Sequence, residues 1–117
     1  MSYETKGYHV IADMWTCDED ILDSLQKMRK ICEDAIELGG ATLVDVSYKK
    51  FTPQGLTMLF LLEESHLSVH TYPEHRYMSF DCYTCGSNTD PVAIFEYVKK
   101  EVGSGYVKLN FLNRGKF

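Results

Sequence analysis

Near the middle of the chain an apolar run, Leu59-Phe60-Leu61-Leu62, stops abruptly at Glu63-Glu64-Ser65. A Ser/Val/His/Thr/Tyr alternation then continues to Pro73. Residues 56–62 have the length and bounded apolar character of a strand. Residues 66–72 alternate as a second strand does. Two strands that meet at a Glu-Ser bond commit the chain to a sheet. The near-absence of polar alternation in 56–62 predicts burial on both faces of that strand. A core strand gains nothing from an acid pair at its end, whereas a serine with imidazoles at His66 and His70 nearby has obvious uses as a nucleophile.

The flanking segments supply the rest of a small fold. Tyr8-His9-Val10-Ile11-Ala12-Asp13-Met14 reads as a first strand. Asp18 is placed to cap a helix in which Ile21, Leu22, Leu25, Met28, Cys32, Ala35, Ile36 and Leu38 recur at helical spacing. Gly39-Gly40 stops it. Residues 42–51 alternate Val44, Val46 and Tyr48 against Asp45, Ser47 and Lys49, and Thr52-Pro53-Gln54-Gly55 is a turn. After residues 77–85, another strand, Asp90 and Pro91 form a helix start signal with Ala93, Ile94, Tyr97 and Val98 on the buried side. The glycines near 103–105 break that helix, and residues 106–112 form a last strand. The order β-α-β-β-β-β-α-β predicts an α+β fold: a two-layer sandwich of a mostly antiparallel sheet with two helices on one face.

At 117 residues the chain makes one domain, with 44% hydrophobic and 25% charged residues as in ordinary globular proteins. No apolar run approaches the ~20 residues of a membrane span. The polar, mixed-charge opening lacks the pattern of a secretory signal, so a cytoplasmic location is expected. A net charge of −5 without a basic cluster argues against nucleic acid as a partner. The four cysteines, Cys17, Cys32, Cys82 and Cys85, are expected to be thiols.

Each chemical reading has a plainer one beside it. Ser65 taken alone reads as a strand-end serine bonding the backbone. His66 and His70 share a strand face, yet no third ligand is evident, so no metal is expected. Cys82-Tyr83-Thr84-Cys85 has C-x-x-C spacing, but strand-like residues precede it rather than the helix N-terminus or second pair that redox or zinc chemistry uses.

Three strings taken in order narrow the choice: Phe51-Thr52-Pro53-Gln54-Gly55, then Glu64-Ser65-His66-Leu67-Ser68-Val69-His70-Thr71-Tyr72-Pro73-Glu74, then Tyr83-Thr84-Cys85-Gly86. They resemble the small bacterial and archaeal S-adenosylmethionine decarboxylases, pyruvoyl enzymes, over nearly the whole chain. The resemblance implies self-cleavage between Glu64 and Ser65 into a 1–64 chain and a 65–117 chain. Ser65 is converted into the covalent pyruvoyl cofactor. It implies His70 as the base that takes the Cα proton during cleavage, Cys85 as the proton donor in turnover, and Thr57 as support for processing, where the family typically carries serine. Phe51 corresponds to an adenine-stacking aromatic and Glu74 to a carboxylate for the ribose hydroxyls, with Leu67 and Tyr72 completing the substrate pocket. A substrate amine condenses with the pyruvoyl carbonyl, which draws electrons from Cα as carbon dioxide leaves. The product is the aminopropyl donor for spermidine synthesis, and the implied assembly is a homodimer of cleaved protomers with sites near the interface.

Some positions depart from the pattern. Threonine at 57 adds a methyl group and stiffens χ1. The arginine expected after Gly7 is absent, and Lys49 stands where histidine is common. Two rivals therefore stay open: a pyruvoyl-dependent ornithine or arginine decarboxylase on the same scaffold, and an unprocessed, non-catalytic paralogue.

Overall fold

Local signals set the helix ends. In the computed structural model, which describes residues 5–86 and 88–116, Asp90 accepts from the N–H groups of Val92 and Ala93, each at 3.0 Å, and Pro91 opens the helix. Gly103, at φ 71°, closes it in the left-handed region that glycine enters without a Cβ clash. The elements are β1 (Gly7–Trp15), α1 (Glu19–Leu22), α2 (Leu25–Leu38), β2 (Leu43–Lys50), β3 (Leu56–Leu62), β4 (Ser65–Tyr72), a 3₁₀ turn (Pro73–His75), β5 (Tyr77–Cys85), α3 (Pro91–Val102) and β6 (Tyr106–Arg114).

The strands form one six-stranded sheet in the order β2-β3-β4-β5-β1-β6, with every neighbouring pair antiparallel. Met28, Cys32, Ala35 and Ile36 of α2 and Ile94, Phe95, Val98 and Val102 of α3 turn toward the sheet. They join Val10, Met58, Phe60, Val69 and Phe80 in one buried cluster. Phe80 meets Phe95 edge to face, with centroids 5.5 Å apart. Truncating a buried ring such as Phe60 to alanine costs roughly 3–5 kcal/mol. This is the expected α+β sandwich, with two main helices on one face.

Two expectations change. The helix expected to run unbroken from Asp18 is split at Asp23-Ser24. Asp18 caps α1, while Ser24 Oγ accepts from Lys27 N–H at 3.1 Å to start α2. The break frees Asp23 to accept from Lys50 Nζ at 2.6 Å and from Gly55 N–H at 2.9 Å. Thr71 reinforces the junction by donating to the Leu22 carbonyl at 2.8 Å.

Burial of β3 on both faces is the other expectation that fails. Met58, Phe60 and Leu62 are buried under the helices, but Leu59 and Leu61 on the opposite face are 50% and 54% exposed. A chain of this size supplies one helical layer, and that layer covers one face. In β2, a register shift between Leu43 and Asp45 leaves Val44 exposed, although Val46 faces the core as alternation predicts.

Candidate active site

The Glu-Ser junction lies where β3 turns into β4, and hydrogen bonds hold it on two sides. Glu63 N–H donates to the Thr42 carbonyl at 3.0 Å, and Thr42 N–H donates to Glu64 Oε1 at 3.1 Å. From the other side, Cys85 N–H donates to the Glu64 carbonyl oxygen at 3.1 Å. That carbonyl is the one the Ser65 hydroxyl would have to attack, so it already carries a donor where negative charge would develop. Strand pairing between β4 and β5 sets Ser65 opposite Thr84 and one position from Cys85, whose side chain lies on the open face of the sheet.

The other end of β4 gathers a different set. Thr57 and His70 are cross-strand partners, with Thr57 Oγ1 3.0 Å from His70 Nδ1. Both lie on the sheet face that no helix covers. They line a recess of about 270 Å³ together with Phe51, Gln54, Tyr72 and Glu74. The recess depends on the helix break, because Asp23 fixes the 51–55 turn through Lys50 and Gly55.

The residues expected to act together therefore fall into two groups. Ser65 and His70 are five residues apart on one strand, which is about 17 Å at ~3.3 Å per residue. Phe51, Thr57, His70, Tyr72 and Glu74 are brought together, and Glu64, Ser65 and Cys85 are brought together elsewhere. Leu67 joins neither group, since its side chain is fully buried beneath the helices. Cys82 and Cys85 point to opposite faces of β5 about 10 Å apart, too far for a disulfide. Desolvation first, and the charge of Asp81 second, push the Cys82 thiol up to about 12.

Sequence reading missed a polar chain across the open face. Arg114 donates to His9 Nδ1 at 3.0 Å, His9 Nε2 meets Asp81 Oδ1 at 2.5 Å, and His66 Nε2 lies 3.4 Å from the same oxygen. Arginine only donates, so His9 Nδ1 accepts and its Nε2–H points to Asp81. The ligand atoms of His9, His66 and Asp81 lie within 4.8 Å of one another, but the His9 lone pair a metal would take is occupied by that proton. These residues are far apart in sequence, and the alternation of β1 and β5 indicates only that each faces outward. A larger groove of about 550 Å³ between α2 and α3 carries Lys30, Asp34 and Tyr97 but no serine, cysteine or histidine.

Comparison with known proteins identifies the family. Residues 8–115 match the family model for S-adenosylmethionine decarboxylase. The chain is 40% identical over 115 residues to the S-adenosylmethionine decarboxylase proenzyme 2 of Bacillus cereus (strain ZK / E33L), covering 98% of this chain and 94% of that one. It is 46% identical over 98 residues to the S-adenosylmethionine decarboxylase proenzyme of Brevibacillus brevis, covering 84% of this chain and 74% of that one. The crystal structure of the adenosylmethionine decarboxylase from Aquifex aeolicus superposes with a TM-score of 0.90 at 31% identity, covering 97% and 94% of the two chains. From its sequence strings, its sheet order and these matches alike, the chain belongs to the S-adenosylmethionine decarboxylase family.

Proposed function

We propose that the chain is the proenzyme of a pyruvoyl-dependent S-adenosylmethionine decarboxylase that cuts its own Glu64–Ser65 bond and acts as a homodimer. The observation that carries this reading is the hydrogen bond from Cys85 N–H to the Glu64 carbonyl. It polarises the one peptide bond that must become electrophilic. Ser65 Oγ attacks that carbonyl carbon, its proton passes to the Ser65 nitrogen as the C–N bond breaks, and Glu64 is left as an ester on Ser65. Loss of the Ser65 Cα proton then expels the Glu64 carboxylate, separates residues 1–64 from residues 65–117, and leaves a dehydroalanine whose imine tautomer water hydrolyses to the pyruvoyl group and ammonia.

The residues at the junction fit a pyruvoyl group: a polarised carbonyl, a serine at a strand start, and the Cys85 thiol on the neighbouring strand. Once formed, that group supplies an electron-withdrawing carbonyl for loss of carbon dioxide from an amino-acid substrate. Cys85 is half-buried, and its thiol returns a proton to the substrate carbon.

His70 is suited to take the Cα proton if its Nδ1–H donates to Thr57 Oγ1, which leaves the Nε2 lone pair free. A base works only within ~3 Å of its proton or through one water, and His70 is about 17 Å along the strand from Ser65 in the same protomer. A second copy resolves this. A twofold axis near the middle of β4, with the two uncovered sheet faces together, sets the Ser65 end of each copy against the His70 end of the other. The same contact covers Ile11, Leu59 and Leu61, which are exposed in the single chain. It also encloses the recess, whose 270 Å³ is below the ~300 Å³ at which ligand pockets begin.

In that site Phe51, 43% exposed, offers its ring to adenine, and Glu74 offers a carboxylate to the ribose hydroxyls. Tyr72 lines the same wall, and Leu67 supports β4 from the core side. Release of carbon dioxide from carboxyl-labelled S-adenosylmethionine, ornithine and arginine tests the assignment. Release from S-adenosylmethionine alone is expected, and release from either amino acid in preference would overturn it.

A further inference from the structure

Among the described residues, Thr84 Oγ1 is the buried side-chain polar atom with no hydrogen-bond partner. Thr84 is 0% exposed, so bulk water does not reach it. Burying an unpaired hydroxyl is destabilising, and valine would fill the same space without it. A threonine kept under those conditions calls for a partner that the resting chain does not display.

Register says which atom that is. Cys85 N–H bonds the Glu64 carbonyl, so Glu64 and Cys85 form a hydrogen-bonded pair. Ser65 and Thr84, the next pair in the ladder, are then of the non-bonded kind, whose Cα atoms are about 4.5 Å apart and whose side chains lie closest. Thr84 points to the helix side with Met78, Phe80 and Cys82, and Ser65 shares that side with Leu67 and Val69. The unsatisfied hydroxyl and the hydroxyl that must attack Glu64 are therefore direct cross-strand neighbours.

We infer that Thr84 is a positioning residue for self-cleavage: its Oγ1 accepts a hydrogen bond from the Ser65 hydroxyl as that group turns toward the Glu64 carbonyl. No proton is transferred to Thr84. It selects the rotamer in which a lone pair of Ser65 Oγ faces the carbonyl carbon, opposite the Cys85 N–H that holds the carbonyl oxygen. The inference rests on the proposed cleavage at Ser65 and adds a residue to it.

The test is timed sampling of full-length chains made in a cell-free system, with the 65–117 fragment followed by mass spectrometry. Thr84→Val is expected to cleave roughly five- to tenfold more slowly than wild type. It should melt no lower than an uncleavable Ser65→Ala chain, because the unpaired hydroxyl is gone. Its uncut chain should resist hydroxylamine, since no ester has formed, and Thr84→Ser should cleave within about threefold of wild type. Wild-type-rate cleavage of Thr84→Val, equal slowing in Thr84→Ser, or hydroxylamine scission of Thr84→Val between residues 64 and 65 would each overturn the inference. Failure of the wild-type chain itself to cleave would overturn the underlying reading as well. Cleavage of wild type alongside unimpaired Thr84→Val would overturn only the role of Thr84.

Discussion

Ser65 and His70 stand at opposite ends of β4 and on opposite faces of the sheet. Ser65 shares the helix side with Leu67 and Val69, and His70 shares the open side with His66 and Ser68. Five residues of extended chain keep them about 17 Å apart. Side-chain rotation cannot close that gap, and breaking the strand would cost its ladder on both sides. The proposed function therefore divides the chemistry of the pair between two copies.

Thr57 places its hydroxyl oxygen 3.0 Å from His70 Nδ1. Removing it in Thr57→Val forfeits a hydrogen bond worth about 1 kcal/mol, or roughly fivefold in rate. Self-cleavage should slow by that factor, while Thr57→Ser stays within about twofold of wild type. The half-time of fragment appearance measures both, and an unchanged Thr57→Val would remove Thr57 from the account.

Asp23 links the helix break to the turn that carries Phe51. Its carboxyl is held below the ordinary value of 3.8, first by the hydrogen bond from Lys50 and next by that from Gly55 N–H. A group with a lowered folded pKa stabilises fully above its unfolded value and loses that contribution as pH falls through the folded value. Asp23→Asn should therefore be less stable than wild type at pH 7, by no more than about 1 kcal/mol for so exposed a pair. The difference should shrink as pH falls below 3.8 and vanish once the folded-state carboxyl is protonated, and urea titrations at pH 7 and in acid check it.

The thiols give a chemical map of the same fold. Cys17, Cys32 and Cys82 are 0% exposed, whereas Cys85 is only partly covered. With Cys82 pushed up to about 12 by burial, it stays protonated at pH 8 and pH 9. Iodoacetamide should add one label to the folded chain at either pH, on Cys85, and label the remaining cysteines only in denaturant. A label on Cys82 in the folded protein, or a disulfide between Cys82 and Cys85, would contradict the strand geometry.

Much of this was legible from residue order. The Asp90-Pro91 start, the Glu64-Ser65 junction between two strands and the order of elements follow from local rules that the structure keeps. The break at Asp23-Ser24 was hidden because Ile21, Leu22, Leu25 and Met28 continue the helical spacing through it. Its cause lies with Lys50 and Gly55, remote in sequence. Leu59 and Leu61 misled for a different reason: an apolar residue on an uncovered sheet face is spelled like one in a core. The Arg114-His9-Asp81-His66 chain depends on strand register, which alternation does not fix. The division of Ser65 from His70 was latent in their odd spacing, but only the continuous strand converts that spacing into a distance.

Mixing two inactive chains tests the shared site most directly. A Ser65→Ala chain keeps His70 but has no nucleophile, and a His70→Ala chain keeps Ser65 but has no base. Each is expected to stay intact alone. After co-refolding, mass spectrometry should show the His70→Ala chain, and not the Ser65→Ala chain, split after Glu64. If mixed dimers form and neither chain is cut, or if His70→Ala cleaves unaided at the wild-type rate, the site is not built between two copies as described.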